Sequence, residues 1–196
     1  MSKKDKIIKR VFDIFLALIL LFLTWPIIII AWVIAAIETK SNGFFIQKRV
    51  GENGKLFNII KIKTMLPNKG STITTANDSR ITKSGRFFRK YKIDELPQLI
   101  NVLKGDMSFV GPRPDVPGYA DKLEGEDKII LSIKPGITGP ATIKYKNEEE
   151  LLAKVDDPIK YNNEVIWPDK VKINKEYIKN WSLKKDIEYI IKTLME

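Results

Sequence analysis

Residues 14–37 carry no charged side chain, and this apolar stretch constrains the fold more than any other feature of the chain. As a helix it is about 36 Å long at 1.5 Å per residue, enough to cross a bilayer core. Two details count against a plain span. Pro26 stands near its middle, where the missing N–H interrupts the helical ladder and bends the axis. Basic residues also lie on both sides: Lys3, Lys4, Lys6, Lys9 and Arg10 before it, Lys40, Lys48, Arg49 and Lys55 after it. Positive charge favours the cytoplasmic side, so both flanks share that side only if the chain enters and returns. A re-entrant hairpin kinked at Pro26 meets both observations, whereas a Pro-kinked spanning helix meets only the first. No small-x-small cleavage site follows, so the segment reads as a retained anchor. Asp13 is expected at headgroup level, paired with Arg10.

The remaining chain suits one further domain, which divides the 196 residues into an anchor over 1–39 and a domain over 40–196. Its expected class is α+β, a small antiparallel sheet with helices around it. Phe44 to Arg49 reads as a strand, Gly51 to Gly54 as a hairpin loop and Lys55 to Met65 as the return strand. Lys61 and Lys63 then share one face, either a solvated strand face or a pair of anion contacts. Leu66 to Asp78 is a polar loop of lid-like length. Ser84 to Tyr91 mixes basic and aromatic residues at helical spacing, as an interfacial helix or a core helix would. Ala141 to Tyr145 is expected to be a strand, Glu148 to Lys154 a short helix, and Asn174 to Asn180 a helical turn. Ser182 caps a last helix with Leu183, Ile187, Ile190, Ile191 and Leu194 along one side.

The stretch with most chemistry is Tyr91 to Gly105. Leu96, Leu99, Ile100 and Leu103 recur at helical spacing, with Pro97 in the first turn and Gly105 at the stop. That makes Asp94 the N-cap and Glu95 the first helical residue, beside orphan N–H groups that keep a carboxylate ionised. The plain alternative is an ordinary capping Asp with an acidic first turn. Further on, Pro112 and Pro114 stiffen the backbone around Arg113, suiting its guanidinium to bidentate phosphate binding, unless it is only a surface Arg in a turn. A second Gly/Pro turn runs from Lys134 to Pro140.

Composition narrows the chemistry. The chain has neither Cys nor His, which removes disulfides, thiolate or imidazole metal sites and His-based catalysis. Net charge is +10, from 34 basic and 24 acidic residues, so anionic partners are expected. Charge alone also suits a membrane-anchored protein that binds nucleic acid or anionic lipid, or a scaffold without catalysis.

The ordered motifs decide between these. Lys9-Arg10-Val11-Phe12-Asp13 leads into the apolar segment, and Gln47-Lys48-Arg49-Val50-Gly51, Lys61-Ile62-Lys63-Thr64-Met65, Asp78-Ser79-Arg80-Ile81-Thr82, Asp94-Glu95-Leu96-Pro97-Gln98-Leu99, Gly111-Pro112-Arg113-Pro114 and Pro135-Gly136-Ile137-Thr138-Gly139 follow it in that order. The chain closely resembles the bacterial sugar transferases of the small monotopic phosphoglycosyl transferase family, from about Lys9 to the last helix. The resemblance implies transfer of a phospho-sugar from a UDP-sugar to polyprenyl (undecaprenyl) phosphate, with release of UMP, at the start of membrane-bound glycan assembly. It implies Asp94 as nucleophile, and Glu95 with Asp94 as ligands of Mg²⁺. Lys61, Lys63, Arg80 and Arg113 would face phosphate, while Pro112, Pro114, Gly136 and Thr138 shape the site. Pro26 would break a re-entrant helix on the cytoplasmic face of the bacterial inner membrane, with membrane lipid and no nucleic acid as partner. Lys63 stands where the family has Arg. Asn174 stands where the family has Asp three residues before the Tyr at 177, so a metal or uridine role is not carried over to it; Asp169 is off register. Asp186 matches the pattern. No residue pattern specifies the sugar or an oligomeric state.

The resemblance agrees with the chemistry of these residues. A carboxylate attacks a phosphoryl group to give an acyl phosphate. The anionic diphosphate must first be neutralised, by Arg, Lys and a cation with oxygen ligands. A two-step exchange through phospho-Asp94 needs no base near neutral pH, which fits a chain without His.

Overall fold

The computed structural model describes residues 1–66 and 78–195, apart from the Glu149 side chain, so most of the expected loop from Leu66 to Asp78 lies outside the described residues. Helix α1 (Lys3–Thr39) is capped by Ser2, whose hydroxyl accepts from Asp5 while the Asp5 carboxylate accepts from the Ser2 N–H. It continues through Pro26, so the expected hairpin break is not seen in its helical bonding. A proline removes one ladder bond and can bend a helix without ending it. One face buries Lys9, Asp13, Ala17, Ile28, Ala31, Ala35 and Thr39 along the whole length. The opposite face leaves Val11, Phe15, Phe22, Leu23 and Ile30 more than half exposed.

Strands β1 (Phe44–Val50) and β2 (Leu56–Ile62) form the expected antiparallel hairpin, with Phe45 opposite Lys61. A 3₁₀ turn, Glu52–Gly54, closes it, with Asn53 left-handed. Helix α2 (Lys83–Lys90) is capped by Thr82; Phe88 is buried as a core helix requires, while Phe87 and Tyr91 meet at 4.7 Å, tilted to each other, on its exposed side. Helix α3 (Gln98–Lys104) ends at Gly105, whose φ of 90° is the left-handed stop that its sequence signals. A second, parallel pair, β3 (Ser108–Val110) with β4 (Gly136–Thr138), was not read from the sequence. Ala141 to Tyr145, expected as a strand, instead lies in and at the end of helix α4 (Pro140–Lys144), for which Pro140 suits the first turn.

Helix α5 (Glu148–Leu152) forms where a short helix is expected over Glu148 to Lys154, and helix α6 (Pro158–Tyr161) follows it. A π turn, Asn162–Ile166, leads from them into helix α7 (Trp167–Lys179), far longer than the expected turn. Helix α8 (Leu183–Met195) closes the chain. Its expected aliphatic side is covered only in part: Asp186 is fully buried and Ile190 packs against the main core, while Ile187, Ile191 and Leu194 are exposed. The main core joins Val102, Met107, Val110, Ile133 and Ile178 with Ala17 of α1. A second cluster packs Ile28, Ala31 and Ala35 on Ile62 and Phe88.

Polar residues pin the start of α1 to this core. Lys9 Nζ lies 2.6 Å from Asp186 Oδ2, and the same carboxylate accepts from Tyr177 at 2.6 Å and Trp181 at 3.0 Å. Arg10 does not pair with Asp13. Its guanidinium donates to the carbonyls of Val102 and Leu103, the open end of α3, where a cation also suits the helix dipole. Asp13 is 1% exposed and accepts from Ser108 Oγ and the Phe109 N–H at 3.0 and 3.1 Å, so it is a buried strut and not a headgroup contact. At the other end of α1, Glu38 accepts from the Ser84 hydroxyl and N–H at the start of α2.

Candidate active site

The expected cap at Asp94 is replaced by a tighter arrangement. Lys92 is left-handed (φ 56°) and turns the chain into a single 3₁₀ turn, Ile93–Glu95. Bonds of the i to i+3 kind continue from Leu99 to Leu96 and from Ile100 to Pro97, so α3 begins only at Gln98, behind Pro97. Asp94 thus caps nothing. It is 8% exposed, and its Oδ1 has no hydrogen-bond partner. Asn101, fully buried one turn on, accepts from the Ile60 N–H and donates to the Asn58 carbonyl, fastening α3 to the open edge of β2. That bond pair places the Asp94 turn beside Lys61.

Glu95 faces two cations through one oxygen. Lys61 Nζ is 2.9 Å from its Oε1 and Arg113 Nη2 is 3.1 Å from the same atom. Burial pushes the Glu95 carboxyl up, but Arg113 and Lys61 outweigh it and hold the group far below the usual carboxylate range. Asp94 goes the other way. Burial and the adjacent Glu95 charge push it up to about 6 against the opposing pull of Lys61, Lys92 and Arg89. The expectation of a carboxylate kept ionised by a helix terminus is therefore corrected, since no backbone N–H reaches Oδ1.

Arg113 is held from both sides. Gly136 N–H donates to the Pro112 carbonyl at 2.8 Å, and Val50 N–H to the Asp115 carbonyl at 2.9 Å. Arg49 Nη1 donates to the Pro114 carbonyl at 3.2 Å. Gly136 is required here because a Cβ would lie 2.2 Å from the Gly111 nitrogen. Thr138, at the far end of β4, bonds Thr193 of α8 at 2.6 Å. Pro112, Pro114, Gly136 and Thr138 are thus the frame of the Arg113 turn.

Other expected contacts lie elsewhere among the described residues. Lys63 Nζ donates to Ser41 Oγ at 2.8 Å, beyond the end of β2. Arg80 grips Asp78 with Nε at 2.9 Å and Nη2 at 2.5 Å. Asp186 belongs to the α1 anchor. Asn174 is buried in α7 with its Oδ1 unpartnered, and Asp169 accepts from Lys144 and Tyr145 at 2.6 and 2.7 Å. The reading missed Arg89, which donates to Thr64 Oγ1 at 3.2 Å and whose charge reaches Asp94. Its signal was available: a basic residue one short turn before the paired acids. It also missed Arg49 and Asp115, which flank the Arg113 turn.

Two adjacent carboxylates, one with an unpartnered oxygen and the other with Oε2 outside the cation clamp, suit a hard cation that completes its shell with substrate phosphates. No cluster of three acidic ligands occurs among the described residues.

A model described as bacterial sugar transferase matches residues 4–196. The chain is 36% identical over 189 residues to an uncharacterized sugar transferase, EpsL, of Bacillus subtilis, covering 96% of this chain and 86% of that protein. It is 33% identical to the undecaprenyl-phosphate galactose phosphotransferase of Salmonella typhimurium, covering 98% of this chain and 40% of that one. It is 35% identical to the UDP-glucose:undecaprenyl-phosphate glucose-1-phosphate transferase of Escherichia coli, covering 100% and 41%. The chain therefore spans about two fifths of the length of these last two relatives.

Proposed function

The chain belongs to the bacterial sugar transferase family, and from that membership we propose that it moves a phospho-sugar from a UDP-sugar to polyprenyl phosphate by way of Asp94. The observation that carries the reading is the contrast inside one turn. Asp94 is a buried carboxylate with a bare oxygen, and its neighbour Glu95 is clamped by Lys61 and Arg113. The names of the relatives supply the substrate classes, a UDP-sugar and undecaprenyl phosphate.

In the first step Asp94 Oδ1 attacks the sugar-bearing phosphorus. The bond from that phosphorus to the bridging oxygen breaks, and UMP leaves with the electron pair. An oxygen of polyprenyl phosphate then attacks the same phosphorus, and the Asp94 carboxylate departs, giving the polyprenyl diphosphate sugar. No general base is required. With a pKa of about 6, Asp94 is mostly ionised at neutral pH, and the acceptor phosphate is already an anion. Burial without donors leaves little to strip from Oδ1 before attack. Lys61 and Arg113 neutralise the diphosphate, their turns held as described. Glu95, with Asp94 beside it, would hold Mg²⁺, which when bound supplies further neutralisation of phosphate charge.

The substrates also account for α1. Its exposed face is apolar enough to need lipid and not water. Lys9, Arg10 and Asp13 before the apolar stretch, and Glu38 after it, all bond one polar domain. A helix crossing a core about 30 Å thick would put those two sets of anchors on opposite sides. Both ends on the cytoplasmic face, with Pro26 as the turning point, keeps the site at headgroup depth. Tags at Met1 and Glu196 are then expected to react from the cytoplasmic side alone; opposite-side labelling would mean a span.

The mechanism is tested by intact-protein mass spectrometry after mixing with a UDP-sugar and Mg²⁺ without lipid. A phospho-sugar adduct is expected on the unaltered protein and not on Asp94→Asn. UMP release that needs the lipid acceptor would overturn the covalent step.

A further inference from the structure

Beside the Arg113 turn lies a group of charges that the transfer chemistry does not use. Asp115 sits two residues past Arg113, half-buried, with its backbone carbonyl taken by Val50. Its carboxylate lies within electrostatic reach of three cations, Lys170, Arg49 and Arg113. Among the described residues none of them closes to an ion pair with it, and no side-chain hydrogen bond reaches it. Lys170 instead pairs with Glu148 at 2.6 Å. Arg49 uses both terminal nitrogens, on Pro114 and on Gln47, while its Nε is buried and without a partner. The neighbourhood is continuous with the catalytic turn, since the Arg113 guanidinium that contacts Glu95 also feels Glu148 and Asp115.

Opposite charges this close in a partly buried setting ordinarily collapse into contact, because an unpaired buried charge is costly. That cost is visible here: burial pushes Asp115 up to about 6 in spite of the three cations. What is left open to a ligand is an acceptor without a donor, at Asp115, because the unpartnered Arg49 Nε is itself enclosed. A hydroxyl group can donate to that carboxylate, and so can the N–H of an acetamido substituent. A planar base is less suited. The aromatic ring of this group, Tyr145, has the ammonium groups of Lys144 and Lys170 over it at 5.6 and 5.5 Å, so stacking on it is already occupied by cations.

We propose that Asp115, together with Arg49 and the Glu148–Lys170 pair, forms the subsite that reads the sugar ring of the nucleotide sugar, with Asp115 accepting from a ring hydroxyl or acetamido N–H. The assignment rests on the phospho-sugar transfer argued above, because it takes Arg113 to stand at the phosphate next to that ring. Asp115 is then a specificity-determining residue, and the sugar identity is read on the Arg113 side of the site.

The test is a panel of UDP-sugars (glucose, galactose, and their N-acetylated 2-amino counterparts) assayed by UMP release with polyprenyl phosphate and Mg²⁺. The unaltered protein is compared with Asp115→Asn and Glu148→Gln, and UMP product inhibition is measured on each. Asp115→Asn keeps shape and removes charge. It is expected to lower kcat/KM on the preferred sugar by roughly 10- to 100-fold, mainly through KM, as loss of a hydrogen bond to a charged group does. Poorer sugars lose less, so the preference ratio narrows, while UMP inhibition stays within about twofold. Glu148→Gln is expected to change the same ratio to a smaller degree. An equal loss on every sugar, a matching weakening of UMP, or no change in either variant overturns the proposal; the second result would put the nucleoside at Asp115 instead. No UMP from any sugar with the unaltered protein overturns the transfer reading itself, and this assignment with it.

Discussion

Two buried aspartates, Asp186 and Asp94, show how one side chain serves two purposes. Asp186 is 0% exposed and receives donors from Lys9, Tyr177 and Trp181. Asp94 is 8% exposed and has one oxygen with no donor. The first is a satisfied charge that joins α1, α7 and α8. The second keeps an acceptor that folding has no use for. Native proteins satisfy nearly all buried polar groups, so an unsatisfied carboxylate beside a clamped one marks chemistry, and a fully bonded one marks architecture.

The sharpest way to break this contrast is to neutralise each in turn. Asp94→Asn is expected to lower phospho-sugar transfer by about 10⁴-fold or more, the scale on which nucleophile loss is felt. Its circular dichroism and detergent elution should not change. Asp186→Asn should do the reverse. It removes the charge partner of buried Lys9, at a cost of about 3–5 kcal/mol measured by denaturant unfolding in detergent. Adding Lys9→Met to that variant should return part of the loss, because the orphaned ammonium goes with it. Normal stability with activity alone lost would place Asp186 in the reaction and dissolve the contrast.

The sequence made the two aspartates look more alike than they are. Asp186 sits in a helix whose aliphatic residues suggested a different buried face, because periodicity counts Ile187 and Ile191 as core and Asp as surface. The satisfying donors come from residue 9, at the far end of the chain, and from 177 and 181, in and just beyond α7. No local pattern joins those. Asp94 is legible as special from its company, yet its surroundings differ from those of a cap. A cap was inferred from Pro97 and the leucine spacing, whereas left-handed Lys92 and the 3₁₀ turn delay the helix and leave Asp94 without N–H donors. The hairpin β1–β2, the stop at Gly105 and the Ser182 cap were readable because each depends on residues within a few positions. The β3–β4 pair was not, since a parallel pairing across residues 108 and 136 has no local signal beyond the glycines that permit it.

A smaller effect is expected at the clamp. Lys61→Met and Arg113→Ala each remove one of two cations from a single Glu95 oxygen, and each should lower transfer by roughly 10²-fold. Because they share that atom, the double variant should fall short of the product of the two losses, with Glu95 by then protonating more readily. Full additivity would mean that the two residues contact separate phosphate groups and meet at Glu95 only incidentally.

The smallest expected effect follows from the sign of the Asp94 shift. Its native pKa of about 6 stands above the ordinary 3.8, so the folded protein holds this proton more tightly than the unfolded chain does. Stability from this group is therefore present at low pH, declines as pH rises from about 4 to about 6, and stays reduced above. The rise from 3.8 to about 6 corresponds to about 3 kcal/mol at most, and relaxation of the folded chain around the charge lowers the realised figure to about 1–2 kcal/mol. Asp94→Asn lifts that cost, so without Mg²⁺ it should unfold at higher denaturant than the unaltered protein at pH 8. The gap should shrink as pH falls below 6. Transfer by the unaltered protein should climb through the same range as Asp94 ionises, then level off near neutrality. A variant that is less stable at pH 8, or a gap that ignores pH, would mean that the ionised Asp94 has donors after all. Asp94 would then belong with Asp186 as a bonded structural charge.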